Sequence, residues 1–130
     1  MISHVTLGSD DLGRAISFYT PLFEALDLKC VPSERSKTFA MWHGADGFRP
    51  LIAIAKPENG RAQTSGNGQM LALLAKSRAK VDQVHALAID GGAIDEGKPG
   101  LRPHYHPNFY GAYFRDLDGN KICIVCHNPD

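Results

Sequence analysis

The sequence predicts an α+β fold built from two tandem β-α-β-β-β units. A strand pattern followed by a helical pattern opens the chain and recurs after a shift of 66 residues, which places His4 on Met70. A polar segment rich in glycine and proline lies between the two patterns. We therefore interpret residues 1–130 as one domain, with unit 1 at about 1–56, a linker at about 57–69 and unit 2 at about 70–130.

Unit 1 begins with residues 2–8, whose side chains alternate as in a β-strand. Ser9, Asp10 and Asp11 offer N-cap side chains to a helix whose apolar residues recur at helical spacing over 12–26. Pro21 permits a kink or an early end of this helix near Thr20. Three short strand signals follow, at 28–31, 38–42 and 51–55.

Unit 2 repeats this order with a strand at 70–74 and a helix that Ser77 caps and Gly91-Gly92 ends. Strand signals follow at 93–95, 110–115 and 121–127. Asp118-Gly119-Asn120 predicts a hairpin turn, because Gly and Asn accept the positive φ of tight turns. The final strand is apolar enough to be buried on both faces, and we expect any ligand to touch this hairpin.

Composition excludes several classes of function. The 130 residues carry 14 basic and 14 acidic side chains, and this zero net charge argues against nucleic acid or an anionic membrane as the main partner. No apolar run approaches the roughly 20 residues of a membrane span. The first residues show no signal-peptide pattern, and three cysteines predict buried thiols in a reducing cytoplasm.

Two familiar motifs in the last hairpin do not hold up. Asp116, Asp118 and Asn120 suggest a calcium loop, but Gly119 is fourth and His127 twelfth where that loop needs Gly sixth and Glu twelfth. Residues 123–127 match the C-x-x-C-H pattern of haem attachment. However, strand positions three apart point to opposite faces, so we interpret both cysteines as buried strand residues.

Several passages carry a family resemblance. Residues 2–7 with Asp11-Leu12 and Phe18-Tyr19, and residues 115–122, resemble the vicinal oxygen chelate superfamily. That superfamily contains glyoxalase I, extradiol dioxygenases, and fosfomycin- and bleomycin-resistance proteins. Residues 100–111 are similar to a bacterial glyoxalase-like subgroup. The resemblance implies a cupped mixed sheet, a small-molecule ligand, a homodimer, and a divalent metal held by the first and last strands of each unit.

Few of the metal ligands that the resemblance implies are present in this sequence. His4 matches the first-strand ligand, whereas Met70 stands where the resemblance implies a histidine and Cys123 where it implies a glutamate. Residues 51–55 contain no carboxylate, and Glu58 falls just beyond them. We therefore expect no tightly bound metal in the usual position, and the cofactor stays unknown. A soft metal site of His4, Cys123 and a third group is the alternative.

The loop over 102–110 holds the richest remaining chemistry. It offers a cation, two imidazoles and three aromatic rings between stiffening prolines, which suits closure over a pocket; a packed connection between strands is the alternative. The candidate catalytic residues are His4, His104 and His106. The candidate substrate-binding residues are Trp42, Met70, Arg102, Tyr105, Tyr110 and Cys123. His4 also fits a hydrogen-bonded pocket histidine, and Trp42 also fits the edge of the core.

Two functions follow from the resemblance. The first is a glyoxalase- or dioxygenase-like small-molecule enzyme, a lyase or a dioxygenase, with degraded metal ligands. The alternative is a non-enzymatic protein that binds and sequesters a small molecule, as in bleomycin-type resistance. A purely structural domain would have no small-molecule cavity. Whether the protein is catalytic stays open at this point.

Overall fold

The computed structural model describes residues 1–31, 37–47 and 49–130. Two β-α-β-β-β units follow one another, as predicted. The elements are β1 (His4–Gly8), α1 (Leu12–Ala25), β2 (Lys29–Cys30), β3 (Phe39–His43), β4 (Leu51–Ala55), β5 (Leu71–Leu74), α2 (Arg78–Asp90), β6 (Ile94–Leu101), β7 (Tyr110–Arg115) and β8 (Lys121–Cys126).

Each unit contributes one mixed sheet. The first sheet has the order β1-β4-β3-β2 and the second has β5-β8-β7-β6. In both sheets the first and last strands of the unit pair in parallel, and the other pairs are antiparallel. The α+β fold with tandem units is thus confirmed, and β1 and β5 are edge strands of their sheets.

The two helices begin at the predicted caps. The side chains of Asp11 and Ser77 accept hydrogen bonds from the backbone N–H groups of Arg14 and Lys80. Helix α1 continues past Pro21 to Ala25, so the early end near Thr20 is not observed. Buried aromatic and aliphatic side chains on both sides of Pro21 pack in the core. Their packing stabilises the helix by more than the lost backbone hydrogen bond costs. These side chains are Phe18, Tyr19, Leu22 and Phe23.

Both units share one hydrophobic core. Helix α1 packs on β3 and β4, helix α2 packs on β6, β7 and β8, and the two helices contact each other. Phe18 of α1 also packs on Phe114 of β7, with ring centroids 6.1 Å apart. Each sheet therefore turns an inner face to the helices and presents an outer face on the opposite side. Among the described residues, no helix has the length and apolar character needed to cross a membrane.

Several strand bounds differ from the sequence prediction, and β6 differs most. β6 extends over Ile94–Leu101, well beyond the predicted 93–95. Its pairing shifts register between Asp95 and Gly97 and again between Gly97 and Gly100, so the irregular residues are accommodated as bulges on an edge strand. β2 is shorter than predicted and comprises only Lys29 and Cys30.

The turn between β7 and β8 fastens unit 2 to unit 1. Gly119 has the positive φ of 85° that the turn signal predicts. Asp116 is 5% exposed and accepts hydrogen bonds from the backbone N–H groups of Asp118 and Asn120 and from the Tyr19 hydroxyl at 2.5 Å. The Asn120 amide also donates to the Gly8 carbonyl at 3.0 Å. The hairpin therefore contacts both α1 and β1.

Candidate functional site

The outer face of the second sheet follows from strand alternation. Ile122 and Ile124 of β8 are buried in the shared core, so Cys123 and Val125 point the other way. In the strand register, Cys123 pairs with Ala72 of β5 and with Tyr113 of β7. These three residues therefore lie side by side on the outer face.

Two cations flank the Tyr113 ring. The Arg102 guanidinium carbon lies 5.5 Å from the ring centroid, and the Lys121 ammonium lies 5.7 Å from it. Arg102 is anchored because its Nη2 donates to the Lys98 carbonyl oxygen at 2.8 Å. We call Arg102, Tyr113, Lys121 and Cys123 the cation–tyrosine cluster.

The neutral members of this cluster stay protonated near neutral pH. Burial, together with the adjacent Cys123 thiol, raises the pKa of the Tyr113 hydroxyl to about 12. Burial also raises the pKa of the Cys123 thiol, although the Tyr113 hydrogen bond and the charges of Arg102 and Lys121 oppose that rise. The cluster thus presents hydrogen-bond donors and positive charge.

The positive charge of the cluster is not neutralised locally. The neighbouring Arg115 donates to Glu96 at 3.0 Å and to the Gly119 carbonyl at 3.1 Å. By contrast, no carboxylate of the described residues forms an ion pair with Arg102 or Lys121. The outer face therefore carries two cations that an external anion can neutralise.

The loop at 102–109 lies over this outer face. Nε2 of His106 lies 2.7 Å from Nδ1 of His127, the residue that follows β8. The ring of Phe109 meets both imidazoles edge-on, at centroid distances of 5.7 and 5.3 Å. Since the Asn108 N–H donates to Nδ1 of His106, the neutral His106 ring carries its proton on Nε2 and donates to His127. These contacts fasten the loop to the end of β8.

A cleft separates the edge strands β1 and β5. It is a cavity of ≈ 390 Å³ whose walls are residues 5–8 of β1, linker residues 63–66, and residues 69–71. Asn120 and Lys121 complete its lining. Lys121 therefore belongs both to this inter-unit cleft and to the cation–tyrosine cluster.

Three further predicted residues lie around the same region. Met70 forms part of the cleft wall. Tyr105 lies near Tyr113, whose pKa it influences, and its ring packs on Phe109 with centroids 4.8 Å apart. His104 contacts the Tyr105 ring at 4.3 Å, and neither of its ring nitrogens has a hydrogen-bond partner among the described residues.

The remaining predicted residues lie elsewhere. Trp42 is 3% exposed and packs against Phe23 in the core, so the core alternative describes its position. Tyr110 turns toward α2, where its hydroxyl donates to Asp82 at 2.7 Å. His4 lies on the first sheet, accepts or donates a hydrogen bond with the Ser3 hydroxyl, and borders a separate cavity that His43 also lines.

The side chains at the implied metal positions do not fit a divalent ion. His4 lies on the first sheet, Met70 offers only a thioether, and Cys123 is a protonated thiol on which two cations act. Within residues 1–31, 37–47 and 49–130, no three His, Cys, Asp or Glu side chains are grouped to hold a metal. Any catalysis at this site therefore has to come from the chain's own side chains.

Tyr113, Lys121 and His127 are site residues that sequence reasoning missed. Lys121, Cys123 and His127 are an even number of residues apart, so an extended strand places them on one face. That spacing could have predicted that Lys121 and His127 lie beside Cys123. Tyr113 could be placed opposite Cys123 only with the hairpin register, which depends on the exact form of the turn.

Comparisons with known proteins agree with this architecture. The family model for the Glyoxalase/Bleomycin resistance protein/Dioxygenase superfamily matches residues 1–124. A glyoxalase/bleomycin resistance protein from Albidiferax ferrireducens T118 is 35% identical, with a TM-score of 0.84 and 99% of each chain covered.

More distant structures share the fold. A family enzyme from Burkholderia phytofirmans PsJN is 22% identical, with a TM-score of 0.77 and 97% and 98% of the two chains covered. A lactoylglutathione lyase from Agrobacterium tumefaciens is 19% identical, with a TM-score of 0.66 and 97% and 92% covered. Comparison with curated proteins gives no match. On the family match over residues 1–124, the chain belongs to the glyoxalase/bleomycin resistance protein/dioxygenase superfamily.

Proposed function

We propose that this protein is a glyoxalase- or dioxygenase-like small-molecule enzyme that works without the superfamily metal. Its ligand would lie in the inter-unit cleft and reach the outer face of the second sheet. The observation that carries the proposal is the position of Lys121, which lines the cleft and flanks Tyr113. A bound molecule can therefore occupy the cavity and contact the cation–tyrosine cluster at once.

The cluster can supply the electrostatic role that a metal has in other enzymes. The N–H groups of Arg102 and Lys121 can stabilise negative charge developing on a substrate oxygen, while the Tyr113 hydroxyl is hydrogen-bonded to Cys123. No described residue forms a hydrogen bond with the ring nitrogens of His104, so we assign this loop imidazole the general-base role. Both nitrogens of His106 are engaged in hydrogen bonds, so His106 is a positioning residue for the loop. The reaction class we propose is proton abstraction next to a carbonyl group, a lyase-type chemistry.

The same donors also favour the alternative of binding without turnover. A cluster that holds an anion needs neither a base nor a metal, as in a sequestering protein. We separate the two functions by incubating the protein with a ligand and analysing that ligand afterwards. Altered ligand identifies an enzyme, and unchanged ligand identifies a binding protein.

A homodimer is part of the proposal. Leu74 on β5 is 72% exposed and Ile94 on β6 is 66% exposed, and a second copy would remove these apolar side chains from water. His4, on the outer face of the first sheet, would join the site only from a second protomer. Light scattering after size-exclusion chromatography should give the dimer mass, and Leu74→Glu should give the monomer mass. If the wild-type protein is monomeric, both the proposed dimer and the proposed place of His4 in the site are wrong.

The free thiols fit the cytoplasm that the sequence predicts. All three cysteines are unpaired, and two of them are buried. We therefore propose a cytoplasmic location, which fractionation of cells that express the protein would test.

Metal independence gives the first test of function. We expect protein prepared without chelators to contain no stoichiometric metal, because the implied ligand positions hold Met70 and a protonated Cys123. Elemental analysis measures this directly. One zinc, iron, nickel or manganese per chain, lost in His4→Ala, would overturn the metal-free proposal.

A ligand screen gives the second test. Small molecules are screened by thermal shift with and without added divalent ions, and hits are repeated on Lys121→Met. We expect hits whose stabilisation is independent of divalent ions and is lost in the variant. Hits that are unaffected by the variant, or that need a divalent ion, would contradict the proposed site.

A further inference from the structure

We propose that the ligand of this site is a small carboxylic acid whose carboxylate is held at the edge of the Tyr113 ring by the positive charges of Arg102 and Lys121. This inference rests on the proposed function and names its substrate class. It depends on the charge, the hydrogen-bonding capacity and the placement of the cation–tyrosine cluster.

The first step is the balance of donors and acceptors. Arg102 and Lys121 can only donate hydrogen bonds, and the single proton of the Tyr113 hydroxyl is already hydrogen-bonded to Cys123. The Cys123 thiol is at most a weak acceptor. A group bound here must therefore bring several acceptor oxygens, which a carboxylate does and an amine does not.

The second step is the missing negative charge. Arg115 shows how this sheet neutralises a cation, since Glu96 lies 3.0 Å from it. Arg102 and Lys121 have no such ion-pair partner among the described residues. The anion that this location favours has to be supplied by the ligand.

The third step is geometric. Arg102 reaches the ring from the side of β6, where its guanidinium lies 3.3 Å from the position that a Cβ on Gly97 would take. Lys121 reaches the same ring from β8. An anion at the edge of the Tyr113 ring is attracted by both cations, and the planar guanidinium of Arg102 suits the two oxygens of a carboxylate. The body of the ligand can extend into the inter-unit cleft beside Lys121.

The test compares acids with their uncharged amides of nearly equal shape. Benzoate is titrated against benzamide, and succinate against succinamide, while amide signals of ¹⁵N-labelled protein are followed by NMR. We expect the two acids to shift the signals of Tyr113, Lys121 and Cys123 in a saturable way and the two amides to leave them unchanged. Raising the salt concentration should weaken the acids, because the attraction is electrostatic.

Variants locate the effect on the two cations. Arg102→Met and Lys121→Met should each weaken the binding of the acids about tenfold or more, since a charge-assisted hydrogen bond contributes about 1.5–3 kcal/mol. Lys29→Met, which removes an exposed cation from β2, is the matched control and should leave the affinity unchanged. The dispersion of the NMR spectrum confirms that each variant is folded.

The outcomes separate this inference from the proposed function. If the amides shift the same signals as strongly as the acids, the site is real and the carboxylate assignment is wrong. If neither acids nor amides shift signals of the cluster or the cleft, the carboxylate assignment fails, and the proposed site fails too when the ligand screen gives no hit that depends on Lys121. If the acids bind equally well to Arg102→Met and Lys121→Met, the assignment to this cluster is overturned.

Discussion

At the scale of single residues, Tyr19 and Asp116 form the most buried polar contact between the units. The Tyr19 hydroxyl is the side-chain donor from unit 1 to a carboxylate that is 5% exposed. Tyr19→Phe should therefore lower the free energy of unfolding by about 1–3 kcal/mol, because a buried carboxylate loses one of its hydrogen-bond donors. Urea denaturation measures this loss.

Tyr110→Phe provides the matched control for that loss. Its hydroxyl bonds to an exposed Asp82, so the expected cost is below about 1 kcal/mol. If Tyr19→Phe costs no more than Tyr110→Phe, the buried contact does not stabilise the fold.

The pH dependence of stability gives a second prediction for Tyr19. Burial, followed by the charge of Asp116, raises the pKa of its hydroxyl well above the usual range. Because the folded pKa exceeds the unfolded value of about 10, stability is full below pH 10 and declines as the pH rises above it. Tyr19→Phe should show a weaker decline in this alkaline range, measured by urea denaturation at each pH. An equal decline in both proteins would assign the effect to other groups.

Residue positions were only partly predictable from the sequence. Strand alternation alone places Cys123 on the outer face, and the structure agrees. The same alternation places Trp42, next to buried Ala40 on β3, with the core, but aromatic character suggested a pocket as well. Tyr110 was a candidate substrate-binding residue because it follows the loop. It lies at the start of β7, where its side chain turns toward α2.

At the scale of elements, the loop at 102–109 depends on the contact between His106 and His127. His106→Ala and His127→Ala should each speed amide hydrogen exchange of Phe109, whose N–H bonds to the His106 carbonyl, because the loop loses its fastening to β8. The two changes share one interaction, so the double variant should exchange hardly faster than either single variant. Global stability should change little, as for most surface substitutions.

His104→Ala is the control for the loop. It removes an imidazole of the same loop that packs on Tyr105 without a hydrogen bond to β8, so Phe109 exchange should stay near the wild-type rate. Under the proposed function this variant loses turnover while the loop stays in place. A loss of several kcal/mol of stability in His104→Ala or His106→Ala would identify the imidazole concerned as a structural residue.

Elements were predictable where a periodic pattern of apolar residues was long. Their prediction failed where several glycines and prolines lie close together. The helical spacing over 12–26 was sufficient to predict α1, because packing of its buried side chains outweighs Pro21. β6 was underpredicted because Gly97, Pro99 and Gly100 are typical strand breakers. Only the pairing with β7, which tolerates bulges at a sheet edge, extends that strand.

At the scale of the whole molecule, the shared core predicts that the units unfold together. Phe18 of unit 1 and Phe114 of unit 2 are in ring contact within one cluster of buried residues. Phe114→Ala should therefore cost about 3–5 kcal/mol and leave a single unfolding transition. Circular dichroism and tryptophan fluorescence, which reports on Trp42 in unit 1, should give coincident curves. Separate transitions would show that the units are independent.

The overall fold was the most predictable level, since element order and the 66-residue recurrence specify the tandem units. The site was less predictable because it depends on which strand faces remain outside a core that two sheets share. No local pattern in the sequence states that β1 and β5 border one cleft. That relation arises from the packing of α1 against α2.

The central claim is that the cation–tyrosine cluster binds its ligand directly, without a metal. The most direct measurement is calorimetric titration of benzoate into the wild-type protein and Lys121→Met, first with EDTA and then with excess zinc. We expect equal wild-type affinity in both conditions and a roughly tenfold loss in the variant, since Lys121 supplies one of the two charges. Binding that appears only with zinc and is unchanged in Lys121→Met would contradict it.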